Sequence, residues 1–572
     1  MITRLLPLLL LLPLHAGELK IEIQNRFGQN RLQLDSLKYK SAEAFSVSRL
    51  AYLLSQFAIQ DSKGTWHELP DQYAYLDAAK RRNTFTLTKA PKGEYQSLRF
   101  SLGVPKKRNH GDPADLPAEH PLNPNLNQLH WDWEGGYIFL ALEGRYRDSN
   151  KELKGFVYHL ANDNNLKRVQ LPLSFEIGTQ TSLGVSFDLE KLLSTPRALS
   201  FEKDGNSTHS HPGDVIASSL VANLQSSFQP LGASYPIGEA PRQKLKPRLL
   251  PETVTPYPFK MSRRFPRPLL PLDNPLLKER VTLGRKLFND PILSLDRSIS
   301  CASCHQKENA FSDARRFSPG VEARLGNRNS MPLFNLAWKS DFFWDGRARS
   351  LREQVLIPIE DHREMAESLP KVIAKLNASQ DYQQAFQAGF GKGEITTEKL
   401  SLALENFLLT LTSYDSKFDR AMSGKAELSD IEKRGMELFF TENEPRSGRF
   451  GADCFHCHGG ANFSDHQFHN NGLSSTADKG RFAVTKNERD RNLFSTPSLR
   501  NIELTGPYMH DGRFKTLEEV IAHYSGPMPR SETLDPNLAK HPKAGLQLKK
   551  SDQAALVAFL KTLTDPKYRH VK

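Results

Sequence analysis

All four cysteines of this 572-residue chain fall in two copies of one pattern, Cys301-Ala-Ser-Cys304-His305 and Cys454-Phe-His-Cys457-His458. C-x-x-C-H is the attachment signature of c-type haem: two thiols add to the haem vinyl groups and the next histidine ligates the iron. A zinc site would need four nitrogen or sulfur ligands closing on one metal. A dithiol redox pair has no need of a histidine directly after its second cysteine. A disulfide framework is the third competing reading. With every cysteine used in two complete motifs, the sequence predicts two covalently bound haems.

The chain starts Met1-Ile-Thr-Arg4, continues through the leucine-rich run Leu5 to Leu14, and reaches small residues at Ala16-Gly17. A positive start, a short apolar run and small residues read as a secretory signal over 1–17. About 10 apolar residues are too few to span a bilayer, which takes about 20. No later stretch is long and apolar enough to insert stably in a membrane, so a periplasmic protein is expected. The net charge is +12, and the propionates of two haems offset about four of those charges. The basic residues are scattered and no nucleic-acid motif accompanies them. The charge therefore suits an acidic redox partner better than nucleic acid.

Residues 18–228 read as a β-sandwich. Val169, Leu171, Leu173, Phe175 and Ile177 alternate as a half-buried strand does. Phe85 with Leu87, and Ile138, Leu140 and Leu142, repeat the pattern between turn-rich stretches. A helix from about Asp214 to Phe228 closes the domain. Eleven prolines between Pro230 and Pro275 then predict a semi-rigid linker over 229–273, able to reach on the order of 100 Å. Such a tether gives an effective concentration near the millimolar range. The rest is mainly α, with one cytochrome-c-like domain over 274–425 and a second over 426–572. Gly284-Arg-Lys-Leu-Phe288 and Gly435-Met-Glu-Leu-Phe439 precede the two haem motifs, and Ala310-Phe-Ser-Asp313 and Asn462-Phe-Ser-Asp465 follow them. These paired flanks are an internal repeat.

What occupies the second axial position of each iron decides between electron transfer and activation of a small oxidant. Histidine, methionine and tyrosine all remain candidates on residue chemistry alone. Four further segments narrow the field: Arg328-Asn-Ser-Met-Pro332, Phe343-Trp-Asp-Gly-Arg-Ala348, Thr496-Pro-Ser-Leu-Arg-Asn501 and Leu504-Thr-Gly-Pro-Tyr-Met-His-Asp-Gly512. From about Asn274 onward, the chain resembles the bacterial di-haem cytochrome c peroxidase family, including its MauG branch. The resemblance makes His305 the ligand of a peroxidatic haem and His458 that of an electron-storing haem. It implies that Trp344 passes charge between them. Gln354, Pro358 and Glu364 would form the distal pocket, with Glu364 as the acid–base group. Asn329, Thr505 and Pro507 would hold calcium through oxygen ligands.

Two departures refine this reading. Classical members carry a blocking histidine where this chain has Ser318-Pro-Gly-Val321, so the first haem is expected to be open. On the second haem, peroxidases use a methionine where MauG uses a tyrosine, and the chain places Tyr524 there, with Met528 as the rival. Leu517, Val520, Ile521 and Tyr524 share a helical face, and Thr516 with Glu519 forms a capping box. A phenolate donates more charge to iron than a thioether and favours the higher oxidation state. MauG has a relay tryptophan just before the second haem motif where this chain has Ala452. Trp338, Tyr508 and Phe455 are alternative ways out for charge.

The front domain resembles the MbnP-like copper-binding proteins through Trp131-Asp-Trp133-Glu-Gly-Gly-Tyr137, Leu142-Glu-Gly144, Val157-Tyr-His-Leu160 and His209-Ser-His-Pro-Gly-Asp214. That resemblance implies that Trp131 or Trp133 is oxidised to kynurenine beside a copper site. His209 and His211 are the first ligand candidates, followed by His130 and His159. Strand alternation sets Trp131 and Trp133 on one face and His130 on the other. The sequence thus predicts a periplasmic peroxidase of the MauG type that uses hydrogen peroxide to oxidise a tryptophan of its own N-terminal domain. The rivals are a cytochrome c peroxidase fed by a small cytochrome, and a copper-binding or electron-transfer protein without peroxide chemistry.

Overall fold

The computed structural model describes residues 16–40, 43–131, 135–233, 237, 249–445, 448–473 and 477–569. Trp133 and nearly all of the expected leader lie outside these residues. The chain divides into two compact units, Met1–Asp112 with Leu129–Arg242, and Pro113–Gln128 with Gln243–Lys572.

The main strands of the first unit are β1 (Gly17–Phe27), β2 (Glu43–Asp61), β3 (Thr84–Ala90), β4 (Gly93–Leu102), β5 (His130–Trp131), β6 (Gly136–Arg147), β7 (Leu153–Ala161), β8 (Lys167–Ile177) and β9 (Gln180–Asp188). Helix α1 (Val215–Ser227) and strand β10 (Phe228–Ala233) follow. One sheet runs β10–β9–β1 with β3 on β1, and the other runs β8–β4–β2–β6–β7 with β5 on β6. Aromatic pairs join the two inner faces: Tyr52 meets Phe187 at 5.0 Å, Phe57 meets Phe85 at 5.3 Å and Phe100 meets Phe228 at 5.2 Å between ring centres. This is a β-sandwich. In β8 the alternation holds at Val169, Leu171, Phe175 and Ile177, while Leu173 is only half-buried because the register slips between Pro172 and Phe175. β6 is buried at almost every position, on both faces. Asp214 caps α1 by accepting from the Ala217 amide at 3.0 Å.

Two boundaries differ from the sequence reading. The segment 113–128 belongs to the helical unit, where the Asn123 amide donates to the Arg267 carbonyl at 3.2 Å and Arg267 Nε donates to the Ala114 carbonyl at 3.1 Å. The expected linker is also shorter. Its first residues continue the sheet as β10, and from Leu249 on it packs against the helical core through Tyr257, Phe259 and Phe265. Proline fixes this backbone as extended, and the aromatic residues between the prolines find apolar surface to cover.

The helical unit contains α2 (Lys278–Asn289), α3 (Thr397–Leu409), α4 (Asp430–Phe440), strands β11 (Phe468–His469) and β12 (Phe494–Ser495), α5 (Leu517–Ser525) and α6 (Lys550–Lys561). The internal repeat is visible as two helix crossings. A Cβ on Gly284 of α2 would stand 2.0 Å from the Ala403 carbonyl oxygen of α3, and one on Gly435 of α4 would stand 1.9 Å from that of Ala555 in α6. Glycine inside a helix costs about 1 kcal/mol in propensity, and here it lets two backbones touch.

Candidate functional site

Each haem motif forms a single helical turn. Ser300 and Ser303 make a capping box for Cys301–Cys304, and Phe455–His458 forms the second turn. The imidazoles are aimed by matching bonds, His305 Nδ1 to the Phe311 carbonyl at 3.0 Å and His458 Nδ1 to the Phe463 carbonyl at 3.1 Å. Both phenylalanines take positive φ, 60° and 50°, a region bulky residues avoid unless the surroundings hold them there. With Nδ1 committed, Nε2 of each ring is left to face a metal. Burial lowers both imidazoles, His458 to about 4, so they are neutral and able to ligate. Burial also pushes the thiols up, Cys301 to about 12, Cys304 to about 11 and Cys454 to about 12. Redox dithiols show the opposite shift. The donor sets fit two c-type haems.

A cavity of about 390 Å³ opens beside His305, and Trp344, Gln354, Pro358 and Glu364 all line it. Gln354 Oε1 is buried there without a partner. Burial, helped by the nearby Asp361 charge and opposed by Arg347, pushes Glu364 up to about 7. His305 is the only histidine among the described lining residues, and Ser318 and Gly320 form part of the wall. Gly320 is required at its position: a Cβ would meet the carbonyl oxygens of Arg363 at 2.1 Å and Glu364 at 2.6 Å. Arg328, Lys339, Arg347 and Arg363 also line the wall, which suits a group carrying two carboxylates.

Trp344 is buried, with its indole N–H donating to the Asn329 carbonyl at 2.8 Å. Its own carbonyl accepts from Ser495 of β12 at 2.8 Å, and the Asn329 amide donates to the His510 carbonyl at 2.8 Å. Arg328 reaches Asp345 at 2.6 Å and Asp478 at 2.7 Å. These bonds fasten the first half to the second. The Asn329 side-chain amide donates to the carbonyls of Arg315 and Arg316, at 3.3 and 3.4 Å. Thr505 is buried and Pro507 follows a cis peptide bond, both in the loop that leads to His510.

At the second motif, Tyr524 of α5 accepts a hydrogen bond from Asn471 at 3.2 Å. Burial raises its phenol well above the ordinary range, and the Cys457 and Cys454 thiols raise it further. Met528 is buried against Gly472, where even a Cβ would stand 2.1 Å from the methionine sulfur. Thr516 and Glu519 form the capping box of α5. His469 bridges two carboxylates, Nε2 to Asp465 at 2.8 Å and Nδ1 to Asp535 at 2.5 Å. Burial opposes its charge, yet Asp465 and Asp535 hold the imidazolium well above the usual histidine range. A second enclosed network has Lys540 bonded to Glu442 and, at 3.1 Å, to Asp453, with His456 on Glu442 at 2.9 Å. Of the alternative charge carriers, Trp338 is buried between Phe259 and Phe265, Tyr508 bonds the Ile502 carbonyl at 3.0 Å, and Phe455 packs on His456 at 4.2 Å.

In the sandwich, Trp131 is 5% exposed and its ring lies 5.6 Å from His209 and 6.2 Å from His159, which are 5.1 Å apart. His159 Nε2 is fixed by Glu143 at 2.9 Å, and Glu143 in turn takes Arg49 at 2.8 Å. Of the copper-ligand candidates from the sequence, His209 and His159 both lie beside the Trp131 ring. β7 pairs with β6 so that His159 lies opposite Ala141, and His211 is half-buried at the turn before α1. His130 packs against Tyr137 at 4.7 Å.

Comparison with known proteins agrees with this geometry. A family model described as di-haem cytochrome c peroxidase matches residues 278–427. The MauG protein of Methylophilus methylotrophus is 35% identical over 296 residues, 51% of this chain and 84% of its own length. The chain belongs to the di-haem cytochrome c peroxidase family. Another relative, the cytochrome c551 peroxidase of Nitrosomonas europaea, is 35% identical over 289 residues, covering 49% of this chain and 79% of that protein. Residues 16–210 match the MbnP family model, so an MbnP-like domain precedes the peroxidase half. A crystal structure of a MauG-like protein associated with microbial copper homeostasis aligns with 33% identity and a TM-score of 0.49, over 54% of this chain and 96% of that one.

Within this di-haem peroxidase, the sequence reading quoted Glu143 in a motif without its role of orienting His159, and it missed the His469 bridge. Asp465 was visible as a repeat flank, but its partner Asp535 is too distant in sequence to be paired with it by pattern. Among the described residues no helix is long and apolar enough to cross a membrane.

Proposed function

We propose that the chain is a periplasmic peroxidase of the MauG type that uses hydrogen peroxide to oxidise Trp131 of its own N-terminal domain towards kynurenine. The observation that carries this reading is the cavity at His305, which combines one imidazole, an unpartnered Gln354 oxygen and a carboxyl group poised near neutrality. When bound, the haems supply the redox-active irons that accept and share oxidising equivalents. Cys301, Cys304 and His305 would hold one of them, and Cys454, Cys457, His458 and Tyr524 the other. Glu364 takes a proton from one peroxide oxygen and returns it to the oxygen that leaves as water. Gln354 orients the peroxide by hydrogen bonding, and Pro358 keeps the wall dry. Trp344, held by the Asn329 carbonyl, carries charge between the sites. Asn329, Thr505 and Pro507 would supply oxygen ligands to calcium.

The burial of Trp131 suits removal of electrons at a distance better than attack by a diffusing oxidant. Two peroxides balance the change. The indole C2–C3 double bond is cleaved, each of the two carbons gains an oxygen, two waters are released, and four electrons pass to peroxide. Hydrolysis of the resulting formyl group then releases formate and leaves kynurenine. His159 and His209 stand ready to bind copper beside the altered residue, and a small redox protein would return the chain to its resting state.

Peptide mass spectrometry of exported holoprotein treated with peroxide tests this. The peptide containing Trp131 should show the kynurenine mass, and Glu364→Gln should abolish it. An unmodified front domain after peroxide turnover overturns the substrate assignment. The second reading, a cytochrome c peroxidase, draws on the buried Met528 four residues beyond Tyr524. A methionine-ligated haem spectrum with rapid oxidation of a reduced small cytochrome would establish it instead.

A further inference from the structure

The internal repeat places an aspartate at the same position in each half and gives it different company. Asp313 and Asp465 each stand two residues after the phenylalanine whose carbonyl holds the axial imidazole. Each also caps the backbone N–H two residues further on, Arg315 and Gln467, both at 2.9 Å. In the first half, the Arg315 side chain turns back onto Asp313, with Nε at 2.9 Å and Nη2 at 2.7 Å. That pair has no net charge. In the second half, the matching residue is Gln467 and cannot neutralise Asp465.

His469 takes up that role, together with Asp535. Both of its ring nitrogens face carboxylate oxygens, at 2.8 and 2.5 Å. A neutral imidazole has a single N–H, so two such bonds require the imidazolium. Two carboxylates and one imidazolium leave a net charge of minus one. The group adjoins the second haem motif. Donor atoms of Cys457, His469 and Asp535 lie within 4.8 Å of one another, and the Asp465 amide donates to the Cys457 carbonyl at 2.8 Å. The two halves of the repeat are therefore alike in backbone and unlike in fixed charge.

We propose that the Asp465–His469–Asp535 triad is a positioning unit that biases the second haem towards its oxidised state, while the Asp313–Arg315 pair leaves the first haem unbiased. Losing an electron adds a positive charge at the iron, and a fixed negative charge nearby in a poorly screened interior stabilises it. The triad keeps its protons through that step, so one electron leaves and nothing else moves. The inference needs both haems in place and is independent of whether Trp131 is the substrate.

Redox titration of the holoprotein at one fixed pH, followed by optical spectra that resolve the two haems, tests it. Asp535→Asn removes a negative charge and keeps a residue able to cap the following turn. It should raise the midpoint of the second haem and leave the first unchanged. His469→Gln removes the positive charge and should lower the same midpoint. Asp535→Glu should restore the parent value. Shifts of opposite sign cannot come from a shared structural disturbance. Equal shifts in one direction, movement of both haems together, or no shift in either variant would overturn the proposal. Peptide mass spectrometry of the same samples reports separately on Trp131.

Discussion

The two helical halves agree in backbone and differ in what their imidazoles look out on. Gly284 and Gly435 mark matching helix crossings, and Phe311 and Phe463 turn matching carbonyls onto His305 and His458. Beyond Nε2 the resemblance stops. The first half opens on a cavity lined by a Glu364 whose carboxyl is raised to about 7, while the second has the Tyr524 hydroxyl on Asn471 and two carboxylate networks. The repeated parts hold a cofactor, and the parts that are not repeated decide what it does.

The sharpest attack on this division of labour is Glu364→Gln. It should cut peroxide turnover by about 10²–10⁴-fold, and the wild-type rate should rise as pH passes through about 7. If Tyr524→Phe slowed peroxide consumption as much, the halves would not be specialised as described. The same raised carboxyl has a stability signature. The folded state holds the proton more tightly than the unfolded one, so stability is full below about 4.5 and is lost as pH rises through about 7. The Gln variant should lack that slope in denaturant titrations.

Next in size is Lys540→Met, which takes the lysine from buried Glu442 and Asp453 and leaves them only His456 and His541. It should cost about 3–5 kcal/mol in equilibrium unfolding of the holoprotein. Gly284→Ala and Gly435→Ala test the shared scaffold, since each added methyl meets a carbonyl oxygen. Each should destabilise by about 1–3 kcal/mol, and unequal costs would show that the two crossings are not equivalent. The smallest effect is expected for Thr516→Ala, about 1 kcal/mol for loss of the α5 cap.

Local chemistry made much of this molecule legible in its sequence. The haem motifs, the alternation in β8 and the α5 capping box depend on residues a few positions apart. The cavity residues came from family resemblance, and they converge around His305. What stayed hidden depends on long-range placement. His159 reaches the Trp131 ring through the pairing of β7 with β6, a property of two whole strands. The His469 bridge needs Asp535, which lies 66 residues away in sequence. The stretch from Leu249 looked like a tether because its buried aromatics are separated by prolines and show no period.

The assignment of residues 113–128 to the helical unit changes how the chain is threaded. The polypeptide passes between the two units three times, after Asp112, after Gln128 and after Arg242. Cleavage at any one of these crossings leaves the two units still linked by the other two. A single nick therefore yields a protein that runs as two bands under denaturing conditions and behaves as one molecule otherwise. Releasing the sandwich takes three cuts, and it would come away as two fragments.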